Sequence, residues 1–190
     1  LTRLPESRLV GVEIDPDLCR LARNNAEMNG FSERARFVAG DIAGPFSALE
    51  LEPNSFDHVV ANPPFYPSDT VMPVQDVARA RAHQTDTAGL ENWVRCACAL
   101  TVANGLVTFV HRAEALDDLL SVMRGRLGAL KVQPVTPRAG EAAHRVLVQG
   151  RRDARTPLVL LPPIILQNAT GGPSAEAEAV LRHGAALAFA

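Results

Sequence analysis

The five residues Ala61-Asn62-Pro63-Pro64-Phe65 follow a run, Phe56 to Val60, that reads as a strand. Proline at 63 biases Asn62 towards extended backbone, and the second proline stiffens the next peptide. The Asn62 amide and the Pro63 carbonyl are then held outward with little conformational entropy left to lose. Two acceptors aimed at one spot suit a particular chemistry. A planar amine conjugated to a ring is a poor nucleophile, and acceptors on its hydrogens favour a pyramidal nitrogen whose lone pair can attack an in-line carbon electrophile. Phe65 is placed to stack on the ring that carries such an amine. A Pro-Pro turn that ends a strand, with Phe65 tucked into the core, is the plainer alternative. The amide and aromatic ring flanking the proline pair make the chemical reading the more specific one.

In an open parallel sheet, ligands lie beyond the carboxyl ends of the strands, where residues ending successive strands share a rim. Glu13 with Asp15, Asp41 and Asn62 occupy such ends. A carboxylate matches a vicinal diol with both of its oxygens, so Glu13 is the candidate for a ribose. Asp15 directly precedes Pro16 and reads as a helix cap. Asp41, in "VAGDI", can accept from an adenine amino group, although a Gly-Asp pair after a strand is by itself an ordinary turn.

The elements that must position these residues alternate. "RLVGVEI" (8–14) is rich in β-branched residues, as suits a strand buried on both faces. Asp15-Pro16-Asp17 opens a helix that Asn29-Gly30 stops. "ARFVAGD", "FDHVVAN" and "GLVTFVHR" (105–112) read as further strands, with helices over 90–103 and 113–128. The tail changes to "LKVQPVTP", "HRVLVQGRR" and "TPLVLLPPIIL", strands with no helix-length segment between them, and closes with a loop and helix (168–190) starting near Ser174. This order predicts a doubly wound, mostly parallel α/β sheet with antiparallel C-terminal edge strands, in one domain over 1–190.

At 190 residues and 47 % apolar, the chain can build one substantial core. Its longest apolar run, Pro157 to Leu166, is about half the roughly 20 residues a membrane helix needs, so a soluble protein is expected. Three cysteines form neither a disulfide framework nor a metal spacing, which predicts a reducing, cytoplasmic setting and no metal. A net charge of −2 excludes global basicity, yet Arg79, Arg81 and His83 follow the proline motif, and Arg138, His144, Arg145, Arg151, Arg152 and Arg155 gather late in the chain. They form either a local patch or simply a solvated face, and of them Arg79, Arg81, Arg145 and Arg151 could contact phosphates. Trp93, Cys96 and Cys98 read as packing on an amphipathic helix.

"GVEID", "GDI" and "ANPPF", in this order and spacing, resemble the class I S-adenosylmethionine-dependent methyltransferases that act on amino or amide nitrogen. The segment "ARAHQTD" and the tail 134–167 narrow the resemblance to the bacterial tRNA(Val) adenine-37 methyltransferase group and its small-domain relatives. The resemblance spans roughly Arg8 to Gln167 and implies a Rossmann-like fold with S-adenosyl-L-methionine as cofactor. It implies cofactor contacts from Glu13, Ile14, Asp41, Ile42 and Asn62, and amine activation at Asn62, Pro63, Pro64 and Phe65. RNA, tRNA first, is the implied substrate, with Phe65, Arg79, Arg81, His83 and Arg145 on its side. The family's central first strand and its Gly-rich loop should precede residue 1. Without that strand, the flanks of two neighbouring strands are expected to be open. The motif reports the geometry at nitrogen and not its carrier, so a protein glutamine amide or an rRNA guanine amine stays open as substrate. A non-catalytic nucleotide- or RNA-binding module and a nicotinamide oxidoreductase are the competing classes, and the latter has no use for Asn62 to Phe65. Oligomeric state is not legible.

Overall fold

The computed structural model describes residues 1–64, 87–187 and 189. The chain forms two compact units, Leu1–Glu52 and Pro53–Ala190.

The first unit is a βαβ unit. Strand β1 (Leu9–Glu13) leads into helix α1 (Pro16–Met28), which returns to strand β2 (Ala35–Ala39), and the two strands pair in parallel from Leu9 opposite Ala35 to Glu13 opposite Ala39. The helix begins as its sequence requires, with the Asp15 carboxylate accepting from the amides of Asp17 (2.8 Å) and Leu18 (3.3 Å) and with proline in the first turn. It stops at Asn29, and Gly30 takes φ +71°, a left-handed conformation that glycine adopts freely. Gly11 is opposite Phe37, whose ring would lie 2.7 Å from any added Cβ, so the glycine makes room for the aromatic side chain. Arginine-to-carbonyl bonds supplement this small unit: Arg34 donates to Leu4, Pro5 and Ser7, and Arg23 to Phe37.

The second unit carries a six-stranded sheet in the order β3-β4-β6-β5-β7, with β8 also on β5. Its elements are β3 (Phe56–Ala61), α2 (Thr87–Leu100), β4 (Thr101–Arg112), α3 (Leu116–Met123), β5 (Leu127–Thr136), β6 (Arg145–Arg152), β7 (Val159–Leu160), β8 (Ile164–Ile165) and α4 (Ala175–Leu181). Strands β3 and β4 are parallel, and β6 lies antiparallel between β4 and β5. One continuous core joins α2 (Leu90, Val94, Ala97) and α3 (Leu119, Met123) to Val107 and Phe109 of β4, Val132 of β5 and Val146 and Val148 of β6. Trp93 packs against this core, Cys96 is buried, and burial pushes the Cys98 thiol up to about 11, which keeps it protonated and inert at neutral pH.

The expected α/β order and mostly parallel sheet are present, and several boundaries move. The expected helix over 90–103 ends at Leu100: Thr101 turns its hydroxyl back to Ala97 O (2.7 Å), and the β-branched Thr101 and Val102 open β4. Five residues advance on β4, from Thr101 to Leu106, against two on β3, from Phe56 to His58; Asn104 at φ +61° and Gly105 absorb the excess. The helix expected over 113–128 is eight residues long, because Gly125 at φ +83° turns the chain and Leu127 already starts β5. In the tail, β6 is antiparallel as expected, but it lies inside the sheet, and β7 and β8 run parallel to β5. Pro162 and Pro163 split the expected single strand into these two. Strand β1 is half-buried to exposed, although its sequence suits burial on both faces. Among the described residues, β1 pairs only with β2 and β3 only with β4.

Phe109 is fully buried at the centre of the helix–sheet core. Phe109→Ala is expected to remove about 3–5 kcal/mol from the second unit's stability. Urea denaturation checks this, and a loss below about 1 kcal/mol would mean that the core is not organised around that ring.

Candidate functional site

In the first unit, Glu13 and Asp41 come to the same end of the β1–β2 pair. Glu13 is opposite Ala39, its carbonyl accepts from Gly40 N (2.9 Å), and Asp41 follows one residue later. Glu13 Oε1 accepts from Asp15 N at 3.0 Å, which fixes the half-buried carboxylate and leaves its second oxygen for another donor. Asp15 caps α1 as expected. Asp41 is exposed; its Oδ1 accepts from Ala43 N (2.8 Å), a local turn that sets the side chain's direction. Leu49, 1 % exposed, would lie 2.8 Å from a Cβ at position 40, so the glycine before Asp41 is imposed by packing. Ile14 is half exposed and Ile42 half-buried, two apolar side chains adjoining the acids. A ribose and an adenine need hydroxyl and amine acceptors with apolar surface between them, and Glu13, Asp41, Ile14 and Ile42 supply this set.

In the second unit, the proline motif leaves the carboxyl end of β3. Ala61 is opposite Phe109 of the parallel strand β4. Ala61 is buried, Asn62 exposed, Pro63 less than 2 % exposed and Pro64 half-buried. The Pro63 ring therefore anchors the loop, and the Asn62 amide stands in solvent beyond the strand end. Arg145 starts β6 opposite Arg112, the last residue of β4, which places it at the same end of the sheet as Asn62. Phe65, Arg79, Arg81 and His83 lie outside the described residues.

Two histidines not singled out by their sequence context are built into the sheet. His111, two residues beyond Phe109, is 5 % exposed; burial lowers its pKa, with a smaller opposing contribution from a hydrogen bond to the Arg112 backbone. The available signal was alternation, since Val107, Phe109 and His111 all fall on the core face of β4. His58, in β3, is on the other face. Its Nε2 is 2.8 Å from Thr108 Oγ1, which also accepts from Gln149 Nε2 at 3.1 Å. With Gln149 donating, the threonine hydrogen is available to His58, and burial lowers the His58 pKa in keeping with a neutral ring that accepts it. This row borders a cavity of about 500 Å³ that also touches Lys131 and Phe189. Among the described residues, no three His, Cys, Asp or Glu side chains gather as a metal site would require, and no helix is long and apolar enough to cross a membrane.

Parallel βα units with polar residues ending their strands are the Rossmann-like arrangement of α/β domains. The chain belongs to the methyltransferase domain family, whose model matches residues 2–107. It is 31 % identical over 150 residues to the tRNA1(Val) (adenine(37)-N6)-methyltransferase of Porphyromonas gingivalis, covering 78 % of this chain and 58 % of that one. It is 27 % identical over 153 residues to the enzyme of the same name from Yersinia pseudotuberculosis, covering 80 % and 58 %. The chain thus spans little more than half the length of these relatives. A crystal structure from Agrobacterium tumefaciens, described as a predicted O-methyltransferase, shares the fold with a TM-score of 0.80 at 22 % identity, over 98 % of this chain and 82 % of that one.

Both imidazoles, the buried His111 and the more exposed His58, sit below their ordinary value of 6.5, so between the folded values and 6.5 the unfolded chain binds more protons than the folded one. Their contribution to stability is full above pH 6.5 and is lost as the pH falls from there through the folded values. Urea midpoints measured from about pH 7.5 down to 5.5 are expected to decline, and His58→Asn to decline less steeply. A midpoint that stays level or rises on acidification contradicts the assignment of two neutral histidines.

Proposed function

We propose that the protein is an S-adenosyl-L-methionine-dependent N-methyltransferase acting on the exocyclic amine of adenine in RNA, with tRNA as the substrate class. The observation that carries this reading is the exposed Asn62 amide on a strand end pinned by the sealed ring of Pro63. The names of the curated relatives favour adenine over a protein amide. The A. tumefaciens neighbour shares only the fold, so its O-methyl description has no bearing on the acceptor atom. A cytoplasmic setting goes with a tRNA substrate.

The cofactor supplies an electrophilic methyl carbon on a sulfonium centre. The second carboxylate oxygen of Glu13 accepts a ribose hydroxyl, Asp41 accepts from the adenine amine, and Ile14 and Ile42 offer apolar surface to the ring. On the acceptor side, the Asn62 side-chain oxygen and the Pro63 carbonyl take the two amine hydrogens. This localises the nitrogen lone pair and orients it for displacement. Pro64 limits the loop's freedom, Phe65 stacks on the extruded base, and Arg79, Arg81, His83 and Arg145 contact the RNA around it. No protein base is required, because the methylated amine loses its extra proton to water.

The two halves of this proposal are tested separately, with methyl transfer followed by mass spectrometry of tRNA nucleosides. Asn62→Ala is expected to reduce transfer by about 100-fold or more while S-adenosylhomocysteine binding stays within about twofold. A variant that turns over normally refutes the role of Asn62. Glu13→Ala is expected to weaken calorimetric S-adenosylhomocysteine binding by about tenfold, and unchanged affinity would remove Glu13 from the ribose site.

A further inference from the structure

At the opposite end of the six-stranded sheet from Asn62 is a cavity of about 610 Å³ bounded by three separate segments. Arg124 and Arg126 come from the turn after α3, Leu127 and Gly128 from the start of β5, and Asp153 and Arg155 from the chain leaving β6. The segments are pressed together. A Cβ on Gly128 would lie 1.9 Å from Ala154 O, and Ala129 N donates to Thr156 O at 3.2 Å. Three guanidinium groups on one cavity repel one another unless countercharges are supplied. Arg126 has one in Glu91 at 2.9 Å, while Asp153 is already shared with Arg152 at 3.9 Å. None of the side-chain hydrogen bonds or ion pairs among the described residues involves Arg124 or Arg155. Two planar forks with unused donors suit phosphate oxygens, which they can grip with paired hydrogen bonds.

We propose that this arginine pocket binds the phosphodiester backbone of the RNA substrate at a point remote from the base being modified. The inference rests on the RNA reading given above. Strands β3, β4 and β5 run in one direction, since β3 is parallel to β4 and β6 is antiparallel to both β4 and β5. Asn62 follows the end of β3, whereas the pocket lies at the beginning of β5, three strand positions away. Strand rise and spacing put the two about 20 Å apart along the sheet and about 14 Å across it, hence about 24 Å in a straight line. At about 3.4 Å per nucleotide a stacked strand needs about seven nucleotides to bridge that distance, and a fully extended one, about twice as long per nucleotide, needs about four. The pocket therefore selects for an extended or folded RNA and is indifferent to a short oligonucleotide carrying the same adenine.

The test is a salt series of fluorescence-anisotropy titrations with a tRNA transcript and with a three-nucleotide adenine-containing RNA, too short to span the distance even when extended. The parent chain is compared with the double variants Arg124→Ala/Arg155→Ala and Arg124→Lys/Arg155→Lys, with thermal midpoints confirming folding. The alanine pair is expected to reduce the slope of log K against log salt on tRNA by about one to two, and the lysine pair to keep it. Binding of the short RNA is expected to be the same for all three. Equal slopes for parent and alanine pair on tRNA overturn the pocket's role, as does an equal loss on the short RNA. If the parent binds S-adenosylhomocysteine but neither RNA, the RNA reading itself fails and this inference falls with it.

Discussion

The ring of Pro63 is less than 2 % exposed at the point where β3 leaves the sheet, and burying an imino ring there removes two freedoms together. Its φ is locked by the pyrrolidine, and its position is fixed by packing on the same side as Ala61, which is opposite Phe109. Asn62, between two inward-facing residues of an extended segment, has to point away from the core. The preceding-proline effect keeps it extended even where the strand's hydrogen bonds have ended. The amide's outward position is thus a consequence of packing beneath it, so the order at this site depends on the core of the second unit rather than on hydrogen bonds in the loop.

That core is one-sided in composition. Helices α2 and α3 cover the face of the sheet that carries Val107, Phe109, Val132, Val146 and Val148. The other face presents His58, Thr108, Gln149 and Lys131 as a polar row across four strands. A row of this kind persists only if its members satisfy one another, and Thr108 does so by accepting from Gln149 while bonded to His58. Lys131, the chain's one lysine, donates to the carbonyl of Phe189 at 2.8 Å and so ties the C-terminal segment to the same face.

Local signals in the sequence were reliable wherever a short-range rule decides the conformation. The cap at Asp15, the stop at Asn29-Gly30 and the second cap at Ser174, whose hydroxyl accepts from Ala177 N, all depend on residues within four positions. Where tertiary contacts decide, the sequence misled. Thr101 to Ala103 continue a helical apolar pattern, but Thr101 pairs with Phe56 and the three open β4. The alternation in "HRVLVQGRR" identified a strand without locating it between two others, because register and neighbour choice are non-local. At the site, Glu13, Asp41 and Asn62 were legible as polar residues ending strands. His111 and His58 were not, because a histidine's role depends on its surroundings in the fold: His111 is buried, and His58 finds its partner Thr108 50 positions along the chain. The pocket of Arg124, Arg126 and Arg155 was equally hidden, since Arg155 joins the other two only through the pairing of β5 with β6.

Net charge is a poor guide to partners in such a chain. Of its 19 basic residues, several are neutralised close by: Arg20 by Asp17, Arg138 by Glu141 and Arg182 by Glu178, each three or four positions apart. Exposed pairs of this kind contribute little to stability, typically under about 1 kcal/mol, but they cancel the field of the arginines they involve. What a polyanion meets is the remainder, and that remainder is unevenly distributed. At about 0.15 M salt the screening length is about 8 Å, so acids elsewhere on the surface do little to weaken a pair of uncompensated guanidinium groups in a shared cavity. A formal charge of −2 is therefore compatible with a local site for phosphate. The same screening means that such a site guides and orients RNA over short distances and does not draw it in from far away.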